Sequence, residues 1–336
     1  MAVPFAINGF GRIGRAVARL ARGRSDVRLV ALNDPAPVAV LADRLKYDSV
    51  RGPYAGKVTV RAADLELDGH PVAVFRSDRP ADVPWSRSTA RIVLECSGQF
   101  LDRESAAGHL GNGVERVVWS ANSPQADVTL CRSINEGAYD PRRHRLISNA
   151  SCTTHCLAPL LRVLEQVAGI EHGAMTSVHS YTPSQELLDA SQASGRRARA
   201  AGLNLVPLAT TAPRAIDELI PSLAGKISGL VVRVPSPAGA WLEVVARVQR
   251  ETTTEALRAA FRKAATSAPL AGVLGVCEEE LVSSDFVGSP ESAIVDLSTT
   301  AVTDGRLVRV AAWYDNEWGY AHRLIELVAA LGEQAS

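Results

Sequence analysis

Residues 4–15 read PFAINGFGRIGR, and this stretch with its flanks decides the fold. Pro4–Asn8 is a short apolar run with strand character. It enters a glycine-rich turn, Gly9-Phe-Gly11-Arg-Ile-Gly14, and a helical pattern follows through Ala16–Arg22. A second apolar run, Val27–Leu32, ends at Asn33-Asp34. Strand, glycine turn, helix and strand make a βαβ unit. With an acidic residue closing the second strand, it has every part of a dinucleotide-binding fingerprint. Gly9 and Gly11 allow the backbone to turn and to approach a pyrophosphate. The helix N-terminus turns N–H groups and dipole toward the anion, and Asp34 accepts from ribose hydroxyls. The competing reading is a glycine turn that holds nothing. Arg15, Arg19 and Arg22 recur at helical spacing and read as a solvated face, which leaves Arg12, assigned to the loop, as the arginine placed to touch a cofactor.

Beyond this unit, apolar strands alternate with helical or turn segments through Arg91–Cys96 and Arg116–Ser120, as in a mostly parallel sheet with helices on both faces. After about residue 150 the texture changes. Ile227–Val234, Trp241–Gln249, Ser292–Asp296 and Leu307–Tyr314 read as longer alternating strands of antiparallel character, with helices at Thr254–Ala265 and His322–Leu331. The expected fold class is α/β: an N-terminal Rossmann dinucleotide-binding domain over 1–151 and an α/β catalytic domain with a mixed or antiparallel sheet over 152–316. The segment 317–336 would be a C-terminal helix packing back on the first domain.

Composition sets outer limits. The chain has 336 residues, 36 Lys+Arg against 36 Asp+Glu, and is 46% hydrophobic, so it has ample material for two domains. Zero net charge argues against bulk attraction to nucleic acid or an anionic membrane. No apolar run reaches the length of a membrane helix, and MAVPFAINGF lacks the plan of a secretory signal. Cysteines at 96, 131, 152, 156 and 277 form no disulfide framework, and C-x-x-x-C at 152–156 has no second pair for zinc, so no metal is expected. A reduced, cytoplasmic protein is the expectation.

The segment RLISNASCTTHC (145–156) puts Cys152 just after a strand and at a helix start, with Ser151 as N-cap. A thiol there feels the positive end of the helix dipole, which would lower its pKa. A buried structural cysteine is the alternative. Pro159 should disturb the first turns. His179, after the strand-like Ala174–Val178, is either a satisfied core residue or the base of a Cys–His pair. The arginines and threonines of GRRARAA (195–201), PLATT (207–211) and VVRVP (231–235) suit phosphate recognition, or are ordinary surface and turn residues.

Taken together, these residues resemble phosphorylating glyceraldehyde-3-phosphate dehydrogenase along nearly the whole chain. The match is carried by INGFGRIGR (7–15), LNDP (32–35), KYDS (46–49), SNASCTT (148–154), VHSYT (178–182), RRARAA (196–201), RVPSP (233–237) and WYDNEWGY (313–320). The resemblance implies NAD-dependent oxidation of an aldehyde through a Cys152 thioester, which inorganic phosphate cleaves to an acyl phosphate, 1,3-bisphosphoglycerate. His179 would be the base. Thr182, Arg197 and Arg233 would bind the substrate phosphate, and Ser151, Thr153, Thr210 and Thr211 the inorganic phosphate. Gly9, Gly11, Arg12, Ile13, Gly14, Asp34, Gly98, Ser120, Asn316 and Tyr320 fall on cofactor positions, with Asn316 on the nicotinamide carboxamide. The implied assembly is a homotetramer, with 182–204 near a neighbouring subunit's cofactor.

The departures are concentrated near the thiol and the phosphates. His155 replaces a usual Asn and would place an imidazole near the thiol. Thr211 stands where the family has glycine, which raises the question of backbone strain. PSPAGA (235–240) replaces PTPNVS, and Asp78-Arg79 reverses the usual order. Ala190-Ser191 is the pair found in forms that accept NADP, whereas Asp34 repels a 2′-phosphate; NAD is the expected cofactor and NADP a second candidate. Two alternatives stay open: a paralogue acting on another phosphorylated aldehyde such as erythrose 4-phosphate or tolerating a thiol-directed inhibitor, and a cofactor-binding protein with vestigial catalysis. Retention of Cys152, His179 and Arg233 together speaks against the last.

Overall fold

The computed structural model describes residues 2–191 and 195–334. They divide into two compact units. The first comprises residues 2–130, 137–150 and 321–334, and the second 131–136, 151–191 and 195–320.

The first unit opens with β1 (Val3–Asn8), α1 (Arg12–Ala21), β2 (Val27–Asn33) and α2 (Val38–Lys46). A short hairpin, β3 (Tyr47–Asp48) and β4 (Gly52–Pro53), precedes β5 (Val58–Arg61), β6 (Asp64–Leu67) and β7 (His70–Phe75). Then come β8 (Ile92–Glu95), α3 (Arg103–Ala107), β9 (Arg116–Trp119), β10 (Val128–Thr129) and β11 (Leu146–Ser148). Nine of these strands form one sheet in the order β10-β11-β9-β8-β1-β2-β7-β6-β5. Every pair from β10 to β7 is parallel; β5, β6 and β7 pair antiparallel. The central strands β1, β8 and β9 are almost wholly buried, as a sheet covered on both faces requires. Strand order reverses about β1, with β2 and β7 added on one side and β8 and β9 on the other, which makes the gap between β1 and β8 the switch point at which such sheets bind ligands.

The second unit begins with α4 (Cys152–Ala168) and β12 (Ile170–Ser180). It continues through β13 (Val206–Ala209), α5 (Ala212–Leu219), β14 (Ile227–Val234), β15 (Ala240–Val248) and α6 (Thr254–Thr266). β16 (Leu274–Cys277), β17 (Ala293–Thr303) and β18 (Leu307–Tyr314) complete a seven-stranded sheet in the order β13-β14-β12-β15-β18-β17-β16. It is mixed: β14 runs parallel to β12, and β16 to β17, and the remaining pairs are antiparallel. Leu157, Leu160, Leu161 and Leu164 of α4, Ile216 of α5 and Phe261 of α6 pack with Leu242, Val244, Val295 and Val310 of the sheet in one core.

Two local expectations are corrected. Pro159 does not make the start of α4 irregular: the helix runs unbroken from Cys152 to Ala168. Proline removes one backbone hydrogen bond, and burial of nearly every residue around it compensates for that loss. The last helix, α7, is longer than its apolar pattern suggests and spans Trp318–Glu333. The Asp315 carboxylate caps it by accepting from the Glu317 and Trp318 N–H groups at 2.9 and 2.8 Å.

Candidate active site

In the first unit Asn8, Asn33 and Glu95 end three adjacent parallel strands in register, Asn8 lying opposite both of the others. A cleft of about 460 Å³ opens above these strand ends, lined by Asn8, Gly9, Gly11, Asn33, Asp34, Ser77 and Ser97 among others. The three glycines of the turn have different duties. Gly9 has φ +89°, and a Cβ there would lie 2.5 Å from the Ser97 backbone; one at Gly14 would lie 2.4 Å from the Gly9 carbonyl oxygen. A Cβ at Gly11 would meet nothing within 4 Å. The chain's own packing therefore requires Gly9 and Gly14, whereas Gly11 leaves a cradle that fits an approaching pyrophosphate.

Asp34 is half-buried at the end of β2, with Oδ2 accepting from Phe10 N at 2.8 Å and Oδ1 from Ala36 N at 3.0 Å. Gly98 takes φ +70°, and the Ser120 hydroxyl donates to the Glu95 carbonyl at 3.0 Å. Arg12 is the first residue of α1 rather than part of the loop, and with Ile13 is half-buried. Of the arginines behind it, Arg22 is exposed as a solvated face requires, whereas Arg15 and Arg19 are half-buried. Arg15 pairs with Asp48 at 3.1 Å, Arg19 donates to the Leu45 and Gly52 carbonyls at 2.7 and 3.0 Å, and Arg22 pairs with Asp68 at 3.0 Å. They pin residues 45–68 onto α1.

In the second unit Cys152 opens α4 and Ser151 caps it, the Ser151 hydroxyl accepting from Thr154 N at 3.1 Å. The Cys152 Sγ lies 3.5 Å from His179 Nε2. His179 Nδ1 lies 2.8 Å from the Ser180 carbonyl and also against Arg233 Nη1, which leaves Nε2 as the ring nitrogen turned to the thiol. Arg233 Nη1 shares that carbonyl at 2.9 Å and also contacts the His179 ring. Burial, reinforced by the Arg233 charge, lowers the His179 pKa to about 3, which keeps the imidazole neutral. Burial pushes the Cys152 thiol up, and Arg233 and Thr153 pull it part of the way back. Desolvation thus outweighs the lowering expected from the helix start alone.

Behind the pair, the Tyr314 hydroxyl bridges Ser177 at 2.9 Å and Thr153 at 3.2 Å, and its ring meets His179 edge-on. The Asn316 Oδ1 accepts from the Ser180 hydroxyl at 3.0 Å and from Gly239 N at 3.1 Å, which fixes the carboxamide with its NH₂ as the free end for a ligand. Gly239 takes φ +82°, and a Cβ there would lie 2.9 Å from the Ser283 carbonyl. The altered PSPAGA loop thus uses its backbone to hold Asn316. Sequence reasoning singles out neither Ser180 nor Tyr314, although both lie inside the matching strings.

Thr182 and Arg197 both bond Ser184, at 2.9 and 3.1 Å, and Arg197 is near enough to Arg233 to oppose its charge. The Arg233 Nε is buried without a hydrogen-bond partner. Two like charges and an unsatisfied donor make a cradle for a dianion. Thr210 and Thr211 are not drawn into this cluster. They lie beyond Ala209, which pairs with Leu230, whereas Arg233 pairs with Val206 at the other end of β13. Thr211 has φ −91°, open to any residue, so no backbone strain arises from the loss of glycine. His155 turns its Nδ1 to Cys131 Sγ at 3.3 Å and its ring against Tyr320, so its imidazole serves those two side chains. No group of metal-ligating side chains occurs among the described residues.

Two family models match the chain. Residues 3–103 match the NAD binding domain of glyceraldehyde 3-phosphate dehydrogenase, and residues 151–316 match its C-terminal domain. A glyceraldehyde-3-phosphate dehydrogenase of Kitasatospora aureofaciens is 47% identical over 327 residues, 97% of this chain and 98% of that protein. The enzyme of that name from Geobacillus stearothermophilus is 43% identical over 99% of both chains. With a fingerprint cleft in one unit, a Cys–His pair beside two arginines in the other, and relatives matched end to end, the chain belongs to the glyceraldehyde-3-phosphate dehydrogenase family.

Proposed function

We propose that the protein is an NAD-dependent, phosphorylating glyceraldehyde-3-phosphate dehydrogenase. The observation that carries this is the Cys152–His179 pair, with Nε2 turned to the thiol at 3.5 Å and Nδ1 held at the far side by Ser180 and Arg233. Cys152 Sγ attacks the aldehyde carbon while His179 Nε2 takes the thiol proton and passes it to the former carbonyl oxygen, giving a hemithioacetal and a neutral imidazole. NAD, when bound, would supply the hydride acceptor for oxidation of this adduct to a thioester. His179 takes the hydroxyl proton as the hydride leaves. A phosphate oxygen then attacks the thioester carbon, the Cys152 thiolate departs, and an acyl phosphate is released.

Arg233 gives the base a second role. The positive charge that depresses His179 also opposes the imidazolium formed when it accepts a proton. A substrate phosphate on Arg233 and Arg197 neutralises that charge, so substrate binding readies the base. Gly11, Asp34, Gly98 and Ser120 would hold the dinucleotide, with Asn316 on its carboxamide. Ser151, Thr153, Thr210 and Thr211 would receive the attacking phosphate. NADP is a second cofactor that Ala190-Ser191 favours and Asp34 disfavours.

A homotetramer is the assembly this reading implies. Exposed Leu187, Leu188, Leu203 and Leu205 support it, since they leave apolar surface along residues 187–205 for a neighbour to cover. Among the described residues no helix is long and apolar enough to cross a membrane, in keeping with a cytoplasmic enzyme. The test is reduction of NAD and NADP with glyceraldehyde 3-phosphate and with erythrose 4-phosphate, each with and without phosphate. Phosphate-dependent NAD reduction with the triose is expected. No turnover of it, or turnover indifferent to phosphate, overturns the reading.

A further inference from the structure

Beneath the floor of the first unit's cleft lies a buried, hydrogen-bonded carboxylate–imidazole pair that the proposed reaction does not use. The side chains of Glu95 and His109 are both 0% exposed, with Oε2 and Nε2 3.1 Å apart. The Trp85 indole N–H donates to His109 Nδ1 at 3.1 Å. An indole N–H can only donate, so Nδ1 is the accepting nitrogen and the imidazole proton sits on Nε2, aimed at Glu95. Glu95 is filled from the other side as well. Its Oε2 accepts from Asn8 Nδ2 at 2.5 Å, and its Oε1 from the Ser97 N–H and hydroxyl at 2.7 and 2.5 Å. Four donors on two oxygens describe the carboxylate.

The chain of bonds runs outward from there. With its Nδ2 given to Glu95, Asn8 turns Oδ1 to Asn33 Nδ2 at 2.7 Å, and Asn33 Oδ1 in turn accepts from Ser77 N at 2.9 Å. Asn8, Asn33, Ser77 and Ser97 all line the cleft, whereas Glu95 and His109 do not. The four wall residues come from the ends of β1 and β2 and the loops after β7 and β8. One buried carboxylate thus sets four wall residues from separate segments.

We propose that Glu95 and His109 are positioning residues for the dinucleotide, a neutral imidazole and a carboxylate that hold the Asn8–Gly9 turn, Asn33 and the Ser97–Gly98 loop in binding register. This rests on the reading of the cleft as the NAD site. Glu95→Gln puts an amide NH₂ against a donor, and His109→Leu removes the donor while filling the space. Leaving such buried donors unpaired predicts a loss of about tenfold or more in NAD affinity for both variants, measured by calorimetry. The KM for NAD should rise in step, with the KM for the aldehyde within about twofold. His109→Gln, which can both accept from Trp85 and donate to Glu95, should restore affinity to within about threefold of wild type.

Wild-type protein that does not bind NAD overturns the functional reading and this proposal with it. Wild-type binding matched by both Glu95→Gln and His109→Leu overturns the positioning role alone. So does equal loss in His109→Leu and His109→Gln, or a parallel rise in both KM values, which would mark general loosening. Should Glu95→Gln fail to fold by circular dichroism, the contrast between the two His109 variants decides.

Discussion

Arg233 Nη1 and His179 Nδ1 meet at the carbonyl oxygen of Ser180, 2.9 and 2.8 Å away, and also touch each other. Through that oxygen the proposed phosphate ligand and the proposed base share one anchor. Arg233→Gln should therefore do more than weaken substrate binding. Without the neighbouring cation the His179 pKa rises from about 3 toward its ordinary range. The base is competent only above its pKa, so the acid limb of kcat/KM should move to higher pH, with NAD binding by calorimetry unchanged. An acid limb that stays in place while KM for the aldehyde rises would remove Arg233 from any control of the base.

Cys152→Ser should lower turnover by roughly four orders of magnitude or more, because the hydroxyl is a far weaker nucleophile at this site. NAD binding should survive, since the fingerprint cleft lies in the other unit. Retained dehydrogenase activity, followed by NADH absorbance, would sink the covalent route.

The fingerprint glycines should separate in a melting experiment. Gly9→Ala forces a Cβ to within 2.5 Å of the Ser97 backbone at φ +89°, and should destabilise by about 2 kcal/mol or more. Gly11→Ala meets no protein atom within 4 Å, so its Tm should match wild type while its affinity for NAD falls. Equal affinity in wild type and Gly11→Ala would mean that the cradle is not where the pyrophosphate lies.

His322, half-buried on α7, has a pKa lowered to about 4 by burial and by the charges of Arg323 and Arg24. A depressed folded value means that the unfolded chain binds the proton first. The associated stability is complete above the ordinary value of 6.5 and is lost as pH falls toward 4. His322→Gln should flatten the acid side of the stability profile by about 2 kcal/mol, after discounting for partial exposure. Denaturant titrations at neutral pH and near pH ~4.5 would show the smaller drop in the variant; an equal drop assigns the acid sensitivity elsewhere.

The parts of this molecule that depend on local backbone chemistry are readable from the sequence. The turn from Asn8 to Gly14, Ser151 as cap and the strand runs at Ile227–Val234 and Leu307–Tyr314 all follow from residue type and period. What fails to show are the partners that long-range packing assigns. Arg15, Arg19 and Arg22 have helical spacing whether they face water or, as here, Asp48, two backbone carbonyls and Asp68. The thiol of Cys152 looks activated at a helix start, yet its environment is set by strands that arrive far along the chain. Helical spacing suggests that His155 sits by the Cys152 thiol, but Cys131 and Tyr320, both distant in sequence, determine where its ring goes.

Asp34 carries a consequence for engineering cofactor choice. Charge arguments alone would recommend replacing it with a small neutral residue to admit a 2′-phosphate. Its two oxygens, however, are already the acceptors for Phe10 N and Ala36 N. Removing the carboxylate would untie the glycine turn at Phe10 while it relieved the repulsion. A swap toward NADP in this scaffold therefore calls for asparagine, whose single acceptor oxygen keeps one of those two ties, in preference to alanine or glycine.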